Sequence, residues 1–215
     1  MKQYNVIVAN GILPRTRKMI NLIEDAEHVI VCDGAVNNYF SYTKRLPDYV
    51  IGDGDSLDKD LVNQWHIPFI KVEDQETNDL TKAVFSGKEH GWDNFLIVGA
   101  TGGRDDHAIA NIFLLGYYVK IGVNVRMICP KGEFIPVAGH FDERVGSGRV
   151  VSIFPVDHSP VTATGLVYPV INRTFNELWE GTLNKTKEDR LVIDSEGRFL
   201  VFLGKRPAAS ALESR

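Results

Sequence analysis

Short, unbroken apolar runs separated by helix-period stretches organise the first 130 residues. Asn5–Ala9 and Val29–Cys32 are such runs, and they stop at Asn10-Gly11 and Asp33-Gly34. Tyr49–Ile51, Phe69–Val72, Phe95–Val98 and Val125–Cys129 repeat the form. Between them, Thr16–Ala26 places Met19, Ile20, Leu22, Ile23 and Ala26 at helical spacing, and Leu57–Trp65, Leu80–Glu89 and Asp106–Lys120 also read as helices. Strands lose their polar alternation when both faces are buried, so this pattern predicts βα units around a parallel sheet. After Pro130 the texture changes. Phe134–Val137, Arg149–Pro155, Val161–Thr164, Arg190–Asp194 and Phe199–Leu203 are short strand runs, separated by Gly, Pro and the turn-like Asp194-Ser-Glu-Gly197. The predicted fold is an α/β N-terminal domain with a mostly parallel sheet over residues 1–131, followed by an all-β, sandwich-like C-terminal domain over 132–207. Residues 208–215 read as a tail.

Composition narrows the classes without choosing one. A hydrophobic share of 44% and a charged share of 24% are those of an ordinary globular chain. A formal net charge of −4 points away from nucleic acid, whose binders carry a basic excess. Cys32 and Cys129 each sit in an apolar run and read as buried thiols, with no disulfide framework or zinc spacing. The N-terminal apolar run is too short for a signal peptide and no run approaches a membrane span, so a cytoplasmic location is expected.

The topology gives the polar motifs a common address. Parallel strands put their C-terminal ends on one edge, where ligands of open α/β sheets bind. Asp33, the Gly52-Asp53-Gly54-Asp55 turn, the Asp74–Asp79 run and Gly99–Asp106 all follow strand ends. Asp53 and Asp55, spaced by glycine, suit Mg²⁺, which takes one or two carboxylates together with substrate phosphates. Asp-Gly-Asp is also a common turn, and it is the shared edge that favours a crevice. Asp79 and Lys82 lie on one side of a helix and fit metal and phosphate together; the same acids also suit a helix start capped by Thr77 or Asn78. Gly99–His107 combines a glycine-rich turn with the fixed charge of Arg104, and it follows neither the Walker nor the dinucleotide spacing. His107 reads as a capping or packing residue. With no nucleophile elbow and no Cys/His signature, the inventory suits phosphoryl or pyrophosphoryl transfer, which depends on positioning and charge neutralisation.

Four motifs in order, Cys32-Asp-Gly-Ala-Val-Asn37, Pro47–Leu57, Asp74-Gln75 through Asn78–Lys82, and Gly99–His107 with Asn111, resemble the thiamine pyrophosphokinase (thiamin diphosphokinase) family over nearly the whole chain. The resemblance implies an ATP-binding α/β domain, a C-terminal β-sandwich for thiamine binding and dimerisation, and a homodimer with active sites between subunits. It implies Mg²⁺-dependent transfer of the β,γ-diphosphate of ATP to the hydroxyl of thiamine, giving thiamine diphosphate and AMP. By position, Asp33, Asp53, Asp55 and Asp79 match acids around Mg²⁺ and the diphosphate, with Asp53, Asp55 and Asp79 the expected metal ligands. Gln75 and Arg104 match positions near phosphates and substrate, and Asp106 the acid of the glycine-rich motif. Asn78, Lys82, Gly102, Gly103 and Asn111 complete the expected ATP-binding set. Family members often carry Thr where Asn78 stands. In the β domain, Tyr168 and Asn184 match thiamine-binding positions, and the family's Ser-Asn pair is here Leu183-Asn184. A cationic thiazolium suits an aromatic-edged acidic crevice, with Tyr168 or Trp179 as the face and ordinary packing expected for Trp179. Two other readings stay open. A thiamine- or nucleotide-sensing module would dispense with one of Asp53, Asp55 or Asp79, and all three are present; a diphosphokinase for another small alcohol is compatible with Leu183-Asn184.

Overall fold

The computed structural model of the chain describes residues 3–207. The first apolar runs form β1 (Asn5–Val8), β2 (Val29–Cys32), β3 (Tyr49–Gly52), β4 (Phe69–Lys71), β5 (Asn94–Val98) and β6 (Asn124–Cys129). Every pairing among them is parallel, in the order β6-β5-β1-β2-β3-β4. All four residues of β1, β2 and β3 are buried, which is why these runs show no polar alternation. The crossovers carry α1 (Arg17–Glu24), the four-residue α2 (Val36–Tyr39), α3 (Lys59–Gln64), α4 (Asp79–Glu89) and α5 (Asp105–Lys120). Gly87 lets α4 approach the sheet closely, since a Cβ there would lie 2.6 Å from the Phe95 ring and 3.2 Å from Ile30. Among the described residues, no helix is long and apolar enough to cross a membrane.

α1 begins at a cap and ends at a borrowed one. The Thr16 hydroxyl accepts from the Met19 N–H at 3.2 Å, and Met19 and Ile23 face the core. Arg45 binds its last two carbonyls and two just beyond it: the guanidinium donates to the carbonyls of Ile23 (3.1 Å) and Glu24 (2.8 Å) in the helix and of Ala26 and Glu27 (2.9 Å) after it. Arg45→Ala is therefore expected to lower stability by about 1–3 kcal/mol, the scale of leaving such acceptors without their charged donor. Urea unfolding checks it; an unchanged midpoint would show that water replaces the guanidinium at no cost.

The described residues divide into two units, 3–114 with 121–130, and 115–120 with 131–207. The end of α5 thus groups with the second unit, a division that a linear reading of the sequence does not suggest. The tail assigned to 208–215 lies outside the described residues.

Among the described residues the second unit is all-β apart from that helical segment, and its strands are β7 (Gly132–Arg144), β8 (Val150–Pro155), β9 (Val161–Thr164), β10 (Val170–Arg173), β11 (Asn184–Lys185) and β12 (Arg190–Gly204). β12 is its spine. One edge pairs antiparallel with β7 from Arg190↔Arg144 to Gly204↔Gly132. The other edge pairs with β9 in its first half and β8 in its second. Ile135, Val137, Phe141, Phe175, Ile193 and Phe199 are among the residues of the core between these strands. The sandwich-like strand-rich unit follows the expectation, but the Asp194–Gly197 turn does not. Arg190–Asp194 and Phe199–Leu203 belong to one strand, and the Asp194–Gly197 segment is an irregularity within it: the register moves from Asp194↔His140 to Arg198↔Ala138, so β12 advances four positions against two on β7. A bulge absorbs the polar residues without ending the ladder, and Gly139, with φ +83°, stands opposite. Gly197 makes room for the loop before β9, because a Cβ would meet Ser159 Oγ at 2.5 Å. There Arg198 binds Asp157 bidentately (2.9 and 2.7 Å) and donates to the Gly116 carbonyl of α5 at 2.9 Å.

Candidate active site

Strand order reverses at β1, which has β2 on one side and β5 on the other. That reversal opens the crevice in which open α/β sheets bind ligands. The turns after β1 and β5 are laced together: the Gly11 N–H donates to Gly99 O at 2.6 Å and the Ile12 N–H to Thr101 O at 2.9 Å. Gly99 has φ +69°, and a Cβ there would lie 2.5 Å from the Ala9 carbonyl oxygen, so the position admits only glycine.

The acids follow in chain order. Asp33, directly after β2, is 2% exposed and accepts from the Gly34 N–H and, at 3.0 Å, from the Gly54 N–H. Gly52 admits it: a Cβ at 52 would stand 2.7 Å from Asp33 Cβ. Both Asp33 oxygens thus bind backbone, and the residue joins the ends of β2 and β3. Asp53 is half-buried, and its Oδ1 accepts from the Asp55 N–H at 3.0 Å. That hydrogen bond is the main reason its carboxyl titrates below the usual range. Asp79 opens α4. Asn78 caps the helix, accepting from the Thr81 N–H at 3.0 Å, and the buried Lys82 ammonium lies 3.2 Å from Asp79 Oδ1. Burial first, and then the charge of Asp33, push the Asp79 carboxyl above its ordinary range, with Lys82 pulling the other way. Asn78 Nδ2 also donates to Asn111 Oδ1 at 2.9 Å, and Asn111 Nδ2 donates to the Ala100 carbonyl at 2.9 Å. This chain of amides fixes the start of α4 to the turn after β5.

Asp53, Asn78, Asp79, Lys82 and Asn111 wall a cavity of about 260 Å³ whose lining also includes Asn10, Asp74 and Gln75, with His107 beside Asn111 on the α5 side; Asp33 stands behind this wall and is not in the lining. Not every expected residue reaches it. Asp55 is exposed and outside the lining, as are Gly102, Gly103 and Asp106. Arg104 also lies outside, with its side chain 72% exposed, and grips Asp106 through two bonds of 3.1 and 2.6 Å. This grip lowers the Asp106 carboxyl to about 2. Among the described residues, no three His, Cys, Asp or Glu side chains gather at metal-ligating spacing. The donor chemistry nevertheless fits Mg²⁺. Asp53 and Asp79 share one cavity with Asp33 close by, so three carboxylates stand near a single buried ammonium, Lys82. An ion that shares one or two carboxylates with phosphate oxygens needs no more from the protein.

Asn10 and His107 line the cavity although sequence reasoning gave neither a part in the chemistry. For Asn10 a signal existed: Asn10-Gly11 follows β1 as Asp33-Gly34 follows β2. Cys32 also lines the cavity, but burial, followed by the charges of Asp79 and Asp33, pushes its thiol far up, so it is protonated and no nucleophile.

The two residues expected to meet the second substrate stand together in the second unit, on a cavity of about 280 Å³ that also touches Arg173, Glu180 and Leu183. Asn184 accepts from the Tyr168 N–H at 3.2 Å and donates to the Tyr168 carbonyl at 2.7 Å, so its amide positions Tyr168. The Tyr168 residue is 67% exposed. Packing, the expectation for Trp179, does not hold: Trp179 is 71% exposed, in a segment following Phe175 that keeps Phe175 buried and turns its own tryptophan outward. Leu183, at 87% exposure and φ +65°, stands clear of the core in the same segment.

Comparison with known proteins adds an independent line. Residues 19–127 match the family model described as thiamin pyrophosphokinase, catalytic domain, and residues 132–202 match thiamin pyrophosphokinase, substrate-binding domain. Thiamine pyrophosphokinase of Bacillus subtilis (strain 168) is 32% identical over 103 residues, which cover 46% of this chain and 48% of that relative. The chain therefore spans about half the length of that curated relative. Thiamine pyrophosphokinase 1 of Arabidopsis thaliana is 24% identical over an alignment covering 92% of this chain and 85% of the relative. The crystal structure of the thiamine pyrophosphokinase from Bacillus subtilis superposes with a TM-score of 0.79 at 22% identity, covering 95% of this chain and all of that one. Thiamin pyrophosphokinase from Candida albicans gives a TM-score of 0.82 at 17% identity, over 95% of this chain and 90% of that one.

Proposed function

The chain belongs to the thiamin pyrophosphokinase family, both of whose domain models it matches in order, and we propose that it transfers the β,γ-diphosphate of ATP to the hydroxyl of thiamine, releasing AMP. The observation that carries this reading is the acid-walled cavity at the strand-order reversal, which holds carboxylates, a buried lysine and a protonated thiol. Such a site suits a transfer between two bound substrates without a covalent enzyme intermediate.

Mg²⁺ bound at Asp53 and Asp79 would supply charge neutralisation for the phosphates. The protein's own part is placement. Asp33 fixes the β3 turn so that Asp53 stands in the cavity wall, and the Asn78–Asn111–Ala100 chain fixes α4 so that Asp79 and Lys82 face the same space. Lys82 then offers its ammonium to the phosphate chain from a buried position. Arg104 is held at the surface by Asp106 and exchanges that partner for a phosphate oxygen when the nucleotide arrives. Tyr168, positioned by Asn184, offers an exposed ring to the thiazolium cation, whose charge an aromatic face attracts. Tyr168, Ile171, Trp179 and Leu183 are all more than 60% exposed, which supports a homodimer in which a second copy covers this apolar surface.

The test is product analysis of purified protein with ATP, Mg²⁺ and thiamine. The expected result is AMP and thiamine diphosphate in equal amounts, lost on adding EDTA. Saturable thiamine binding without AMP would make the protein a sensor. Neither binding nor AMP would redirect the search to another alcohol.

A further inference from the structure

We propose that Asn10, which neither the motif reading nor the site's ion pairs include, is a substrate-contacting residue that donates to the phosphate oxygens of the nucleotide. The inference rests on reading the 260 Å³ cavity as the nucleotide's phosphate site.

Asn10 lies two residues past Val8, the last residue of β1, and so stands at the strand-order reversal. It lines the cavity together with Asp53, Asp79 and Lys82. Turns at this place in α/β folds usually offer backbone N–H groups to phosphates. Here those of Gly11 and Ile12 are already engaged by the carbonyls of Gly99 and Thr101, at 2.6 and 2.9 Å. The Asn10 side chain is exposed, and its amide is a donor group that this turn leaves open to a ligand. Among the described residues it has no hydrogen-bond partner, in contrast to Asn78 and Asn111, whose amides bond within the protein. The chain also keeps space for it. A Cβ on Gly34 would lie 2.4 Å from Asn10 Nδ2 and 3.1 Å from Asn10 Cγ, so glycine at 34 lets the amide rest against the turn after β2. Gly34 does not have a positive φ, so backbone conformation does not call for glycine there. A neutral donor suits a wall whose carboxylates would otherwise repel a polyphosphate, because it binds phosphate oxygens without joining the ion pairs around Lys82.

The test compares wild type with Asn10→Ala, Asn10→Asp and Gly34→Ala. It measures the ATP dissociation constant by calorimetry with Mg²⁺ present, steady-state KM for ATP and for thiamine, and melting temperature. Asn10→Ala is expected to weaken ATP binding about 10- to 100-fold, the scale of one hydrogen bond to a charged group, with the thiamine KM unchanged. Asn10→Asp is expected to weaken it further, since it replaces the donor with a negative charge. Gly34→Ala should reproduce Asn10→Ala, because its methyl pushes the amide aside, while Ser56, 3.2 Å away, yields by a few tenths of an ångström. Equal ATP affinity in all four proteins overturns the proposal and leaves the diphosphokinase reading intact. Equal loss of affinity for ATP and thiamine, together with a lowered melting temperature, also overturns it, by making Asn10 structural. A wild type that binds ATP without turnover sinks the diphosphokinase reading while the affinity comparison still decides Asn10. A wild type that binds no ATP removes both.

Discussion

In the Asp53→Asn variant, AMP formation is expected to fall by about 100- to 1,000-fold, the scale seen when one charge-stabilising group leaves a preorganised site. The melting temperature should not move. The substitution is close to isosteric, and an amide oxygen at 53 still accepts from the Asp55 N–H, so the turn after β3 survives. What disappears is one of the negative charges near Lys82, the charge that would hold the proposed Mg²⁺. Asp55→Asn makes the control. Asp55 contributes its backbone N–H to the turn, which asparagine keeps, and its side chain is exposed outside the cavity. A drop of less than about tenfold is expected there. Steady-state assays at saturating ATP and Mg²⁺ read both variants, and wild-type turnover in Asp53→Asn would take Asp53 out of the catalytic set.

Arg149→Met is expected to cost the second unit about 3–5 kcal/mol, the scale of breaking a buried ion pair by removing one partner. Arg149 is 8% exposed and directly precedes β8. It donates to the Gly204 carbonyl at 2.7 Å, to the Val145 carbonyl at 3.2 Å and to Glu133 Oε1 at 3.1 Å. Methionine fills much of the volume but leaves those carbonyls and the carboxylate without this donor. Thermal unfolding should show the second unit melting roughly 10 °C or more below wild type. Arg149→Lys keeps the charge but not the planar fork that reaches several acceptors at once, so it should fall between the two. A shift of under about 2 °C in Arg149→Met would mean that water replaces the guanidinium.

Much of the first unit was legible in the sequence because burial on both faces writes strands as unbroken apolar words. Val29–Cys32 and Tyr49–Ile51 could be read almost to the residue. The acids at strand ends were legible for the same reason: once the sheet is parallel, Asp33, Asp53 and Asp79 have one edge to share. Which acid reaches the cavity was not legible, because Asp53 and Asp55 differ only in the direction the glycine-spaced turn gives each side chain. Arg104 shows the same limit, since its pairing with Asp106, two residues away, depends on side-chain direction in the turn. In the second unit, Asp194-Ser-Glu-Gly197 has the composition of a turn, and nothing local distinguishes a turn from a bulge whose ladder is held by β7 from far along the chain. β10 was missed because three of its four residues are exposed, which leaves no apolar run.

The spine of the second unit also sets a schedule. β12 pairs Gly204 with Gly132 and supplies the common partner of β7, β8 and β9. Those three strands are complete by Thr164, yet none of the three has this neighbour until the ribosome has delivered the chain beyond Arg190. Contacts between segments so distant in sequence form late and slowly. The first unit, whose strands close over shorter crossovers, can fold while the second waits with its edges open. During synthesis, the interval between Thr164 and Gly204 is therefore when this chain is most exposed to edge-to-edge association with its neighbours.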